Sequence, residues 1–198
     1  MEAVPQDLGF RMPQQTLREE VLSHVLVSGR YDMLQKFVAR YDAFQDVPFS
    51  QEQLYVALDA LFLNSMFILT LHYADAWFDS ALGFHKEIFG FQYPEDAGAE
   101  FWANVHWHHK NYAFEQQKRL ATTVQNGVSV VRWDLLYDRT YCIARYRARN
   151  DEIIRYFRNP PSVFLSIDVS HEADTSKICA FFGVNESKVS PLPKLSAR

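Results

Sequence analysis

Long apolar runs are missing from this chain, and their absence bears on where the protein works. Nothing approaches the roughly 20 apolar residues of a membrane-spanning helix, and the opening residues are not apolar enough for a secretory signal. A cytoplasmic protein without a membrane partner is therefore expected. Cysteine is nearly absent as well: Cys142 and Cys179 form no metal-ligand spacing, and their apolar surroundings point to buried thiols. Positive charge is not in surplus, since the net charge of −4 argues against a general nucleic-acid binder. The seven glycines, Gly9, Gly29, Gly83, Gly90, Gly98, Gly127 and Gly183, are scattered, so no glycine-rich loop can cradle a phosphate. Internal repeats, low-complexity stretches and linkers are also lacking, and residues 1–198 are expected to form a single domain.

What is present suits a packed core. At 198 residues the chain is the size of one domain of ~100–200 residues, and its 48% hydrophobic content is ample for a core. Apolar residues at helical spacing predict helices over 14–28 and 32–41, broken at Gly29-Arg30, and over 51–62, ended by Asn64-Ser65. Further helices are predicted over 74–91, over 100–126, over 140–157 with a stop at Asn159-Pro160-Pro161, and over 173–182 with Gly183 as its cap. Residues 44–47, 67–71 and 163–169 read as strands, residues 93–98 as a loop, and the chain from Pro191 to Pro193 begins an irregular tail.

The most informative stretch is Phe67–Ser80, FILTLHYADAWFDS. Phe67-Ile68-Leu69-Thr70-Leu71 lacks polar alternation and is short, which predicts a strand buried on both faces, as in a parallel sheet. Asp75 is placed to cap the helix that follows, with Trp77, Phe78 and Ala81 on it and Ser80 on its second turn. Ligands of open α/β sheets bind at the carboxyl ends of strands, where His72, Tyr73 and Ser80 are expected.

This segment resembles the 3′-phosphate-binding motif of the P-loop sulfotransferases, in which a strand ends in Arg-Asp-Pro and a Ser follows eight positions after the Arg. His72 stands at the Arg position, Tyr73 at the Asp, Ala74 at the Pro, and Ser80 matches. Upstream, Tyr41–Pro48 followed by Leu54-Tyr55 and Leu61–Ser65 resembles the family's preceding strand, helix and turn. Downstream, Tyr146–Asn150 through Tyr156-Phe157, Phe164–Val169 and Ile178–Gly183 resemble its closing helix, strand and helix. The resemblance implies an α/β fold, a P-loop-NTPase-like parallel sheet flanked by helices, with the first strand and phosphate loop missing. Residues 1–15 resemble the region just after that loop's helix, so an N-terminally truncated member is expected.

The family's activity is transfer of a sulfuryl group from 3′-phosphoadenosine 5′-phosphosulfate to a hydroxyl or amine, without a metal. By resemblance, His72 and Ser80 face the 3′-phosphate, and the acceptor is a small molecule or a glycan. Asp46 falls where the family places its acceptor-activating residue; a carboxylate there can take the acceptor's proton, or it can cap the turn before Pro48, which is the plainer role. Exchange of a bidentate Arg for His lowers phosphate affinity, by on the order of 1.5–3 kcal/mol for a lost charge-assisted contact. The alternative is a catalytically inactive homologue that serves as a binding or interaction protein, with a homo-oligomer covering any exposed strand edge.

Three other groupings have plainer explanations. His85, His106, His108, His109 and Glu115 invite a zinc reading, but on a helix only His106 and His109 share a face, and a polar aromatic surface accounts for them. Arg139, Arg145, Arg147, Arg149, Arg155 and Arg158 can attract an anion or form a solvated helix face, with Arg147–Asp151 and Asp151–Arg155 as i, i+4 pairs, and the solvated face is favoured. Phe101, Trp102, Trp107, Tyr112 and Phe114 can line a pocket, although aromatic residues at helical spacing more often form core.

Overall fold

The computed structural model describes residues 3–21, 25, 28–158 and 163–192. The chain divides into two compact units, Met1–Leu71 with Tyr156–Arg198, and His72–Arg155.

The first unit is mixed α/β. Its helices are α1 (Ala3–Asp7), α2 (Gln15–Val21), α3 (Tyr31–Val38) and α4 (Leu54–Leu61), followed by β1 (Met66–Leu71). β1 runs parallel to a strand formed by Val163–Asp168, in a register pairing Phe67 with Phe164 and Ile68 with Leu165. Side chains alternate between faces along each strand, so one pair of residues meets each flanking layer. On one face Phe157 stacks on Phe164 with ring centres 4.7 Å apart and lies 4.7 Å from Phe67. On the other, Ile68, Leu165 and Ile167 pack with Val4 and Ile178. A separate cluster of Val21, Val25, Leu34 and Leu54 joins the α2, α3 and α4 region.

Two expectations fail in this unit. The strand predicted over 44–47 is absent: Asp46 has φ +56°, Val47-Pro48 is cis, and the Asp46 carbonyl accepts the Ser50 N–H at 2.7 Å, which makes a turn. A left-handed residue cannot continue an extended ladder, and Asp tolerates that conformation better than most. The strand expected to be buried on both faces is only half-buried over Phe67–Leu71, and Met66 is exposed. Among the described residues its sheet has two strands, too few to cover both sides of either one.

The second unit begins with α5 (Ala74–Phe89), which Gly90 ends in the left-handed conformation that glycine adopts without steric cost. Next come α6 (Ala99–Asn104), α7 (Tyr112–Ala121), a hairpin of β2 (Thr122–Gln125) and β3 (Val128–Val131), and α8 (Arg139–Tyr156), whose last residue belongs to the first unit. The strand Val163–Asp168 is therefore β4, and Ser176–Phe182 is α9. Asp138 caps α8 by accepting the Tyr141 N–H at 2.7 Å. The core gathers around Trp102, which is fully buried and donates its indole N–H to the Ala97 carbonyl at 2.9 Å.

The helix predicted over 100–126 is instead two helices and a strand. It breaks after Asn104 and restarts at Tyr112, with Asn111 left-handed at φ +62°. Thr122-Thr123-Val124 then favours extended backbone, and Asn126-Gly127 supplies the two positive φ values of a tight hairpin turn. The predicted helix over 173–182 begins only at Ser176, and residues 93–98 contain a short 3-10 turn. Asn159-Pro160-Pro161 and Pro193 lie outside the described residues, as does part of the stretch predicted helical over 14–28.

Candidate functional site

The chain leaves β1 at Leu71 and enters α5 at Ala74, so His72 and Tyr73 form the whole connection. Tyr146, on α8, fixes that connection through its main chain. Its hydroxyl accepts the His72 N–H at 2.9 Å and lies 3.3 Å from the His72 carbonyl, to which it donates. The Tyr146 ring is itself held against Trp77, with centroids 4.3 Å apart and planes 19° from parallel. The His72 side chain remains exposed, with Nδ1 3.3 Å from the Tyr73 carbonyl, and Tyr73 projects largely into solvent.

Ser80 lies on the second turn of α5 and is exposed; among the described residues its hydroxyl has no partner. His72 and Ser80 thus share one short segment, and no hydrogen bond joins them. Asp46 belongs to the other unit, where its side chain is exposed on the Asp46–Ser50 turn.

Asp75 does not act as the helix cap, because Tyr73 occupies that position without a side-chain bond. Asp75 pairs instead with Arg139 at 2.9 Å, and Arg139 also reaches Asp79 at 2.6 Å while lying 5.2 Å from the Phe78 ring centre. The hydrogen bond and charge of Arg139 lower the pKa of the Asp79 carboxyl, and the two carboxylates raise that of Arg139. All three side chains are well exposed, so solvent screening leaves each pair little weight in stability. The consequence for ligands is larger than that for stability. The first turn of α5, whose free N–H groups favour anions, carries a carboxylate, and Arg139, whose guanidinium pairs with that carboxylate, is already engaged.

The other groupings resolve as follows. His106, His108 and His109 lie between α6 and α7 and not on a helix, and no three or more His, Cys, Asp or Glu among the described residues gather as a metal site. Within the arginine grouping, Arg155 donates to the Asp151 carbonyl at 3.3 Å and not to its carboxylate. Trp102 and Tyr112 are core, whereas Phe101 and Trp107 are half-buried at the edge of a cavity. Cys179 is buried, and burial pushes the half-buried Cys142 thiol up to about 11.

Tyr146 and Arg139 are the residues near the turn whose roles the sequence reading missed. The Asp75–Asp79 spacing of one helical turn was the available signal for Arg139, whereas a hydroxyl reaching a main-chain turn from residue 146 leaves no local mark.

A parallel strand pair flanked by helices, with a tight strand-to-helix turn carrying His72 and with Ser80 on the second turn of the helix, defines an α/β protein of the kind that binds ligands at strand ends. Residues 12–198 match the family described as Sulfotransferase domain, and the chain belongs to that family. No curated protein and no solved structure matches it.

Proposed function

We propose that the connection between β1 and α5 is a 3′-phosphate site for 3′-phosphoadenosine 5′-phosphosulfate, and that the chain serves sulfuryl transfer to a hydroxyl or amine acceptor, either a small molecule or a glycan. The observation that carries this reading is the exposed His72, on a turn that Tyr146 holds in place, followed eight residues later by the exposed Ser80, whose hydroxyl has no partner among the described residues. Both side chains can donate to a phosphate oxygen. In the reaction, a bond forms between the acceptor atom and sulfur as the bond from sulfur to the phosphate oxygen breaks. Asp46 is the group proposed to take the acceptor's proton.

A second reading, a catalytically inactive homologue that works by binding, is favoured by one observation. Arg139 is committed to Asp75 and Asp79, so the turn lacks the unpaired bidentate cation that would anchor a phosphate.

Calorimetric titration with adenosine 3′,5′-bisphosphate separates the two, using the unmodified protein beside a His72→Arg, Tyr73→Asp double variant. Binding by the unmodified protein, tightened about ten- to a hundredfold in the variant, is the expected result. Absence of binding by both forms would overturn the donor-site reading and leave the binding-protein reading.

A further inference from the structure

The second unit contains a cavity that the sulfotransferase reading does not use. It has a volume of about 600 Å³, within the range of small-molecule sites, and is walled by residues on α5, on the turn before α6, on α6 and on the segment after α6. Phe89, Phe101 and Trp107 supply aromatic surface, Asp96 and Glu100 supply carboxylates, Asn104 and His106 complete the polar lining, and among the described residues no lysine or arginine lines it.

The aromatic walls are set by packing. Phe89 and Trp107 meet with ring centroids 5.2 Å apart and planes 49° from parallel, which makes a corner and not a flat stack. Phe89 is braced edge-on by the fully buried Trp102 at 4.8 Å, and Phe101 packs edge-on against the same indole at 5.2 Å. Both carboxylates keep acceptor capacity. One oxygen of Asp96 accepts the Tyr93 N–H at 3.2 Å, leaving the other, and among the described residues the Glu100 carboxylate has no partner.

Aromatic faces carry negative charge density, so a cation beside Trp and Phe rings and near unpaired carboxylates is attracted by both. An anion there meets two like charges, and a neutral ligand gains only apolar contact. We infer that this cavity is a binding site for a small organic ammonium ion, with its alkyl groups against Phe89, Phe101 and Trp107 and its charge facing Glu100 and Asp96. The inference rests on the second unit alone and is independent of the donor site.

The test is titration of the full chain with choline and with 3,3-dimethyl-1-butanol, its neutral carbon isostere, followed by calorimetry and by the Trp107 indole resonance. Choline is expected to bind saturably, to shift that resonance, and to bind at least about tenfold more tightly than the alcohol. Glu100→Gln, at an exposed position, is expected to keep the thermal unfolding midpoint and to weaken choline several-fold. Equal binding of choline and the alcohol, absence of saturable binding, or choline affinity unchanged by Glu100→Gln would each overturn the assignment. The adenosine bisphosphate titration reads a different segment, so either proposal can fail without the other.

Discussion

Acidification from pH 7 to pH 5 is expected to destabilise the His72–Arg155 unit through one half-buried imidazole. His85, on α5, places Nδ1 2.8 Å from the Tyr137 hydroxyl and meets the rings of Phe89 and Tyr137 edge-on, at 5.5 and 5.8 Å. Burial drives its pKa from 6.5 down to about 4, and burial likewise raises that of the Tyr137 phenol, which therefore stays protonated and can donate to Nδ1. The folded state holds the His85 proton less tightly than the unfolded chain. Between pH 6.5 and about 4 the unfolded chain binds more protons, so stability rises with pH there and is lost on acidification. The whole gap corresponds to about 3 kcal/mol, of which about 2 kcal/mol falls between pH 7 and pH 5. Solvent still reaches part of the residue, which trims the figure to about 1–2 kcal/mol. All four tryptophans, Trp77, Trp102, Trp107 and Trp133, lie in this unit, so indole fluorescence during urea unfolding reports on it selectively. With a urea slope of roughly 1–3 kcal/mol/M, the midpoint drops by about 1 M between the two pH values. His85→Gln cannot titrate, and its midpoint is expected to change much less. An equal change in the two proteins would refute the assignment of the pH dependence to His85.

Trp102→Ala removes the largest fully buried side chain together with its bond to Ala97, and is expected to cost about 3–5 kcal/mol in denaturant unfolding. Gly127→Ala puts a side chain at φ +78° in the hairpin turn; a loss of about 1 kcal/mol is expected, and an unchanged melting temperature would argue against the turn geometry. Arg139→Gln is expected to leave the melting temperature nearly unchanged, since both of its partners are exposed, and a large drop would refute that reading.

The parts of the fold that a local pattern marks were readable in the sequence. β1, α5 and α8 lie where an unbroken apolar run, a helical stripe and a long helical repeat place them, although α5 stops at Gly90, short of the predicted residue 91. The 100–126 region misled because its aromatic residues repeat at helical spacing on both sides of a break, and the Asn126-Gly127 turn signal was overridden by the length of that repeat. At residues 44–47, aromatic and apolar content suggested a strand, but Phe44 is spent on packing against Phe49, with ring centres 4.4 Å apart, while Asp46 turns the chain. The placement of His72 and Ser80 beyond the carboxyl end of β1 was legible because strand-end position is a property of sequence order. The contacts that define their surroundings come from residues 139 and 146, and such long-range pairing has no periodic signature.

The clamp on His72 separates the shape of the turn from the chemistry displayed on it. Tyr146 engages the peptide groups on either side of the His72 side chain, and every residue except proline offers the same N–H and C=O. The side chain at 72 is thus displayed on a frame whose clamp uses main-chain groups alone. A lineage, or an engineer, can exchange the charge at position 72 while both contacts of the clamp are kept.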